Sequence, residues 1–126
     1  MKLASLKRGG RDGTLVVVNR ALTQFVTVPD IVDTLQQALD DWANAAPRLN
    51  AVSEALNLGQ CEISHPLDYT TLASPLPRAY EFVDGSAYLP HVERVRRARG
   101  AEVPASFYED PLMYQATSAG FLGPRD

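Results

Sequence analysis

Residues 24–46 read Gln24-Phe-Val-Thr-Val28-Pro29-Asp30-Ile-Val-Asp-Thr-Leu35-Gln-Gln-Ala-Leu-Asp40-Asp-Trp-Ala-Asn-Ala-Ala46, and the period of the chain changes inside them. Up to Val28 the residues are the Val, Thr and Phe that suit a pleated, half-buried surface. From Pro29 onward, Ile31, Leu35, Ala38, Leu39, Trp42 and Ala46 recur at three- and four-residue steps, the spacing of one helical face. Asp30 suits the N-cap of that helix, and Asp33 places negative charge in its first turn, where the dipole favours it. Pro47 either ends the helix or opens a second one at its first position. Leu49, Val52, Ala55 and Leu56 carry the stripe on to Gly59, which is placed to terminate it. On such a stripe Trp42 reads as core.

Upstream of this junction, Lys2–Leu6 and Thr14–Asn19 add two short strands around the glycine-rich turn Lys7-Arg-Gly-Gly-Arg-Asp-Gly13. Three short strands with tight loops predict a small antiparallel sheet or an incomplete barrel, followed by one or two helices, so the fold class is α+β. Downstream, Pro66, Pro75 and Pro77 punctuate an aperiodic crossing segment. Tyr80–Val83 reads as a strand and Asp84-Gly-Ser86 as a turn. Pro90 opens a short helix that runs to Arg99 and is closed by Gly100. The expected division is an N-terminal α+β domain over 1–75 and a separate segment over 76–126.

The 126 residues are 45% hydrophobic and 21% charged, enough for one folded domain with an appendage and too apolar for a disordered chain. The longest apolar run, Leu15–Val18, is far short of the ~20 residues of a membrane span. The first residues lack the apolar centre of a signal peptide. These features predict a soluble, cytoplasmic protein with no membrane partner. A net charge of −3 without a basic excess argues against nucleic acid. The single basic run, Arg94, Arg96, Arg97 and Arg99, reads first as a solvated helix face and second as an anion site. Cys61, the one cysteine, has no partner for an internal disulfide. His65 stands before a proline with no ligand-type neighbour at metal spacing.

Chemistry concentrates between Leu76 and Glu93. His91 falls in the first turn of the expected helix, and an imidazole at a strand–turn–helix junction can serve as a general base. Asp84 and Tyr88 come from the same turn. The plain alternatives are a surface or core histidine and, for Asp84, a turn residue beside Gly85.

Taken in order, Asp84-Gly-Ser-Ala-Tyr88-Leu-Pro-His91, a basic helix to Arg99-Gly100, Asp110-Pro-Leu-Met-Tyr114-Gln and Phe121-Leu-Gly-Pro-Arg-Asp126 resemble the fumarylacetoacetate hydrolase family in its bacterial branch. Met1–Leu6, Leu35-Gln-Gln-Ala-Leu-Asp-Asp-Trp42 and Leu76-Pro-Arg-Ala-Tyr80 match that branch as well. The resemblance implies that His91 is the water-activating catalytic histidine and that Tyr88, Arg99 and Tyr114 bind substrate, Arg99 being slightly offset in spacing. It implies Asp84 as a metal-binding aspartate that some members carry. It further implies a parent enzyme that hydrolyses a carbon–carbon bond in a diketo acid with Mg²⁺ or Ca²⁺. The family holds that metal through a Glu-x-Glu pair and a further aspartate downstream. Here no two acidic residues stand two apart. The expectation is therefore an N-terminal fragment, inactive and without cofactor by itself, whose C-terminal part is loosely structured. Its expected partner is the catalytic domain of the same parent chain, with a homodimer in the parent. The rival reading is a non-catalytic packing, dimerisation or binding module, favoured for residues 1–75, where no titratable groups converge.

Overall fold

Five residues, Thr14–Val18 (β2), decide how the first part of the chain is built. Successive side chains of a strand point to opposite faces, so Leu15 and Val17 lie on one side and Val16 and Val18 on the other. All four are buried in a computed structural model of the chain, which describes residues 1–117 and 119–126. The sheet is accordingly covered on both faces. β2 pairs antiparallel with Lys2–Leu6 (β1) and with Gln24–Thr27 (β3), and His65–Pro66 (β4) pairs with β3, giving the order β1-β2-β3-β4. Past β4 the chain returns to the far side of β1. Lys7 N donates to Thr71 O at 2.8 Å and Ala73 N donates to Ser5 O at 2.9 Å, so both edges of β1 are bonded.

On the first face Leu15, Val17, Val26 and Val28 pack with Ala38 of Leu35–Asp40 (α1) and with Ala45, Leu49 and Leu56 of Trp42–Asn57 (α2). On the second face Leu6, Val16, Val18, Phe25 and Leu72 form a smaller cluster.

The helical reading holds in outline and shifts in phase. The N-cap is Thr34, not Asp30: its side chain accepts from Gln37 N at 3.2 Å, while the Gln37 side chain accepts from Thr34 N at 3.2 Å. That reciprocal pair is a capping box, and it moves Asp33 outside the helix. The break falls at Asp41 (φ −130°, ψ 47°), so Pro47 lies inside α2 instead of bounding it. A break resets the helical phase. The buried set of α2 becomes Ala45, Leu49, Ser53 and Leu56, and Trp42 is left 41% exposed, contrary to its expected place in the core. Gly59 closes α2 at φ +69°, and Gln60 N bonds to Ala55 O, as its placement predicted.

Residues 1–79 with 119–126 form one compact unit and 80–118 a second. In the first, Phe121 N donates to Pro77 O, and Asp126 pairs with Lys7. In the second, Phe82–Ser86 (β5) pairs antiparallel with Leu112–Ala116 (β6), and Leu89–Ala98 (α3) lies between them in sequence. Asp84, Gly85 and Ser86 are therefore strand, not turn: Gly85 pairs opposite Met113 within the ladder. The whole is α+β. Among the described residues no helix is long and apolar enough to cross a membrane.

Candidate functional site

α3 begins at Leu89 with Pro90 in its first turn, where a missing N–H leaves no helical bond unmade. It ends at Gly100, in the left-handed region at φ +65°, with Ala101 N donating to Arg96 O at 2.9 Å. Along it, His91, Val95 and Arg99 recur at four-residue steps, with Val92 and Arg96 beside them. This stripe forms one wall of a cleft of about 250 Å³. The β5–β6 ribbon supplies Ser86, Leu112 and Tyr114, and Phe107 comes from the short 3₁₀ turn Ala105–Tyr108.

Two contacts seat that turn on the helix. The Arg96 guanidinium lies 4.9 Å from the Phe107 ring centroid, and the Tyr108 hydroxyl donates to Glu93 Oε1 at 3.3 Å. Desolvation first, then the charge and hydrogen bond of Glu93, push the Tyr108 phenol above its ordinary value. In the ribbon Ser86 stands opposite Leu112 and Asp84 opposite Tyr114. Residues two apart share a face of a strand, so Asp84 lies on the cleft-side face without being one of the lining residues.

The structure thus brings His91, Arg99 and Tyr114 to one cleft and sets Asp84 beside it. Tyr88 is the N-cap residue of α3, 74% exposed and outside the lining set. The arginine run divides: Arg96 and Arg99 line the cleft, whereas Arg94 and Arg97 do not. Its reading as a solvated face fits Arg94, Arg97 and Arg99, which are exposed, whereas Arg96 is half-buried. Phe107 is a lining residue that sequence reasoning missed, and it sits in a 3₁₀ turn with no periodic signal. Arg96 was named only within the basic run, whose second reading was an anion site.

Chemically, the cleft carries two guanidiniums, an imidazole and a phenol, and no carboxylate is among its described lining residues. Side chains of this kind suit anions, and carboxylates in particular, with which guanidiniums form charge-assisted hydrogen bonds. They do not by themselves hold a hard cation. Magnesium and calcium want several convergent oxygens, and among the described residues no three His, Cys, Asp or Glu side chains gather at metal-binding range.

A larger hollow of about 460 Å³ in the first unit, lined by Leu6, Lys7, Phe25 and His65, is chemically quieter. Its Lys7 is engaged by Asp126 and Thr70 O, and its Asp68 by Thr70. His65 packs against Phe25 with ring centroids 5.4 Å apart.

An α+β chain with helices packed on an antiparallel sheet, and a smaller unit with a cleft lined by arginine, histidine and tyrosine, is the class that fold and site define. The family model described as fumarylacetoacetase N-terminal domain 2 matches residues 1–78, and the chain belongs to that family. The match covers the sheet and the helices packed on it and stops short of the cleft. No curated protein matches the chain.

Proposed function

We propose that the chain is the N-terminal part of a bacterial-branch fumarylacetoacetate hydrolase-like enzyme that hydrolyses a carbon–carbon bond in a diketo acid. The observation that carries this reading is the convergence of His91, Arg99 and Tyr114 on one cleft, in a chain whose first 78 residues match the family model. His91 takes a proton from the water that attacks the carbonyl. Arg99 and Tyr114 hold the substrate carboxylate, and Tyr88 contributes from the N-cap of α3. Of this chain's residues Asp84 would be the one to meet a Mg²⁺ or Ca²⁺ ion, which would supply Lewis acidity when bound. The remaining catalytic residues belong to the same parent chain, which acts as a cytoplasmic homodimer.

Loss of a general base lowers turnover roughly 10²–10⁴-fold. His91→Ala in the parent enzyme, assayed against a panel of diketo acids, is expected to fall in that range while substrate affinity holds. Near-normal turnover by this variant would remove the assignment.

For the first unit the proposal is structural. Both faces of its sheet are filled by its own core, and every candidate residue lies beyond residue 78. It packs and positions; it does not react.

A further inference from the structure

Arg96 differs from the other arginines of its run. It is half-buried, whereas Arg94, Arg97 and Arg99 are exposed, and its guanidinium rests over the face of Phe107 at 4.9 Å. A guanidinium held on an aromatic ring has given up part of its freedom in advance, so a ligand that meets it loses less entropy on binding. Arg99 follows three residues later on the same cleft wall, a spacing that puts Cβ atoms ~5–6 Å apart. The nearby carboxylate of Glu93 is engaged by the Tyr108 hydroxyl. Among the described residues neither Arg96 nor Arg99 has an ion-pair partner. Two guanidiniums therefore face one small cleft with no carboxylate among its lining residues to neutralise them.

We propose that Arg96, preset by Phe107, is a second anion-anchoring residue of this cleft, and that with Arg99 it selects ligands bearing two closely spaced carboxylates over ligands bearing one. The inference rests on the cleft being a carboxylate site, as proposed above, and is independent of the bond that is broken. Each charge-assisted hydrogen bond to a positioned guanidinium contributes about tenfold or more in affinity.

The test is calorimetric titration of the chain with malonate and with acetate as probes. Malonate is expected to bind at least about tenfold more tightly than acetate. Arg96→Gln should bring malonate down to the acetate level, Arg96→Lys should keep part of the preference, and Arg97→Gln should change nothing. Phe107→Leu, which keeps apolar volume and loses the ring face, should weaken malonate roughly 2–5-fold. Failure of the unmodified chain to prefer malonate, or equal losses in Arg96→Gln and Arg97→Gln, would overturn the proposal. The two readings fail separately. Malonate preference in a parent enzyme that turns over no diketo acid sinks the hydrolase reading alone; turnover that Arg96→Gln leaves intact, with no malonate preference, sinks this one alone.

Discussion

Arg78 meets Asp12 through two parallel bonds, Nε to Oδ1 at 2.9 Å and a terminal nitrogen to Oδ2 at 2.6 Å, and so ties the glycine-rich turn to a residue 66 positions away. The hydrogen bond from Arg78 is the main reason that the Asp12 carboxyl lies below its ordinary value. A carboxyl depressed on folding adds stability above its unfolded value and loses it as pH falls through the folded value. Asp12→Asn should therefore lower resistance to urea at pH 7 and leave it nearly unchanged once the pH is below the carboxylate range. An equal loss at both pH values would mean that the bond acts through shape, not charge. Asp68 and Asp126 are lowered by the same kind of cause, hydrogen bonds from Thr70 and Lys7 respectively, so acid loosens several ties of the first unit together. At the cleft, by contrast, Arg96 has an aromatic face where these arginine and lysine side chains have a carboxylate.

At the scale of elements, sequence reasoning located β1, β2, β3 and α3 nearly to the residue, because turns and glycine stops are local signals. The Gly59 and Gly100 stops fell where a left-handed residue was needed. It erred where two signals competed. A continuous stripe through Leu39 and Trp42 allowed no break before Pro47, yet the Thr34–Gln37 box and the break at Asp41 reset the phase of the second helix and turn Leu49 to the sheet. Leu49 is fully buried, and Leu49→Ala should destabilise the first unit by about 2–5 kcal/mol. Trp42→Ala, at an exposed site, should lose much less, and chemical denaturation distinguishes the two. A larger effect at Trp42 would restore the single-stripe reading. Of the residues lining the candidate cleft, His91, Arg99 and Tyr114 were named from the family resemblance and Arg96 as part of the basic run, whereas Phe107 was not, since a short 3₁₀ turn carries no periodic signal.

Across the whole molecule the burial is uneven. Leu15, Val16, Val17, Ala38 and Leu49 of the first unit are almost wholly inaccessible, while in the second unit Val92 alone among the described residues reaches burial. Local stability follows buried apolar contact, so hydrogen exchange should find β2 and β3 strongly protected and the β5–β6 ribbon and α3 weakly so. Uniform protection across both units would contradict this.

β2 itself has a less obvious consequence. A strand that alternates oil and water carries its own proofreading, because sliding by one residue turns every side chain to the wrong environment. Leu15-Val16-Val17-Val18 has no such safeguard: slid by one place, it still offers a branched aliphatic group to either core. What forbids the slide is polar and lies outside the strand. Leu15 N is bound to Asp33 O at 2.8 Å, and Ser5 Oγ on the neighbouring strand donates to Pro75 O at 2.6 Å, so hydrogen bonds to distant loops keep the count that hydrophobicity does not.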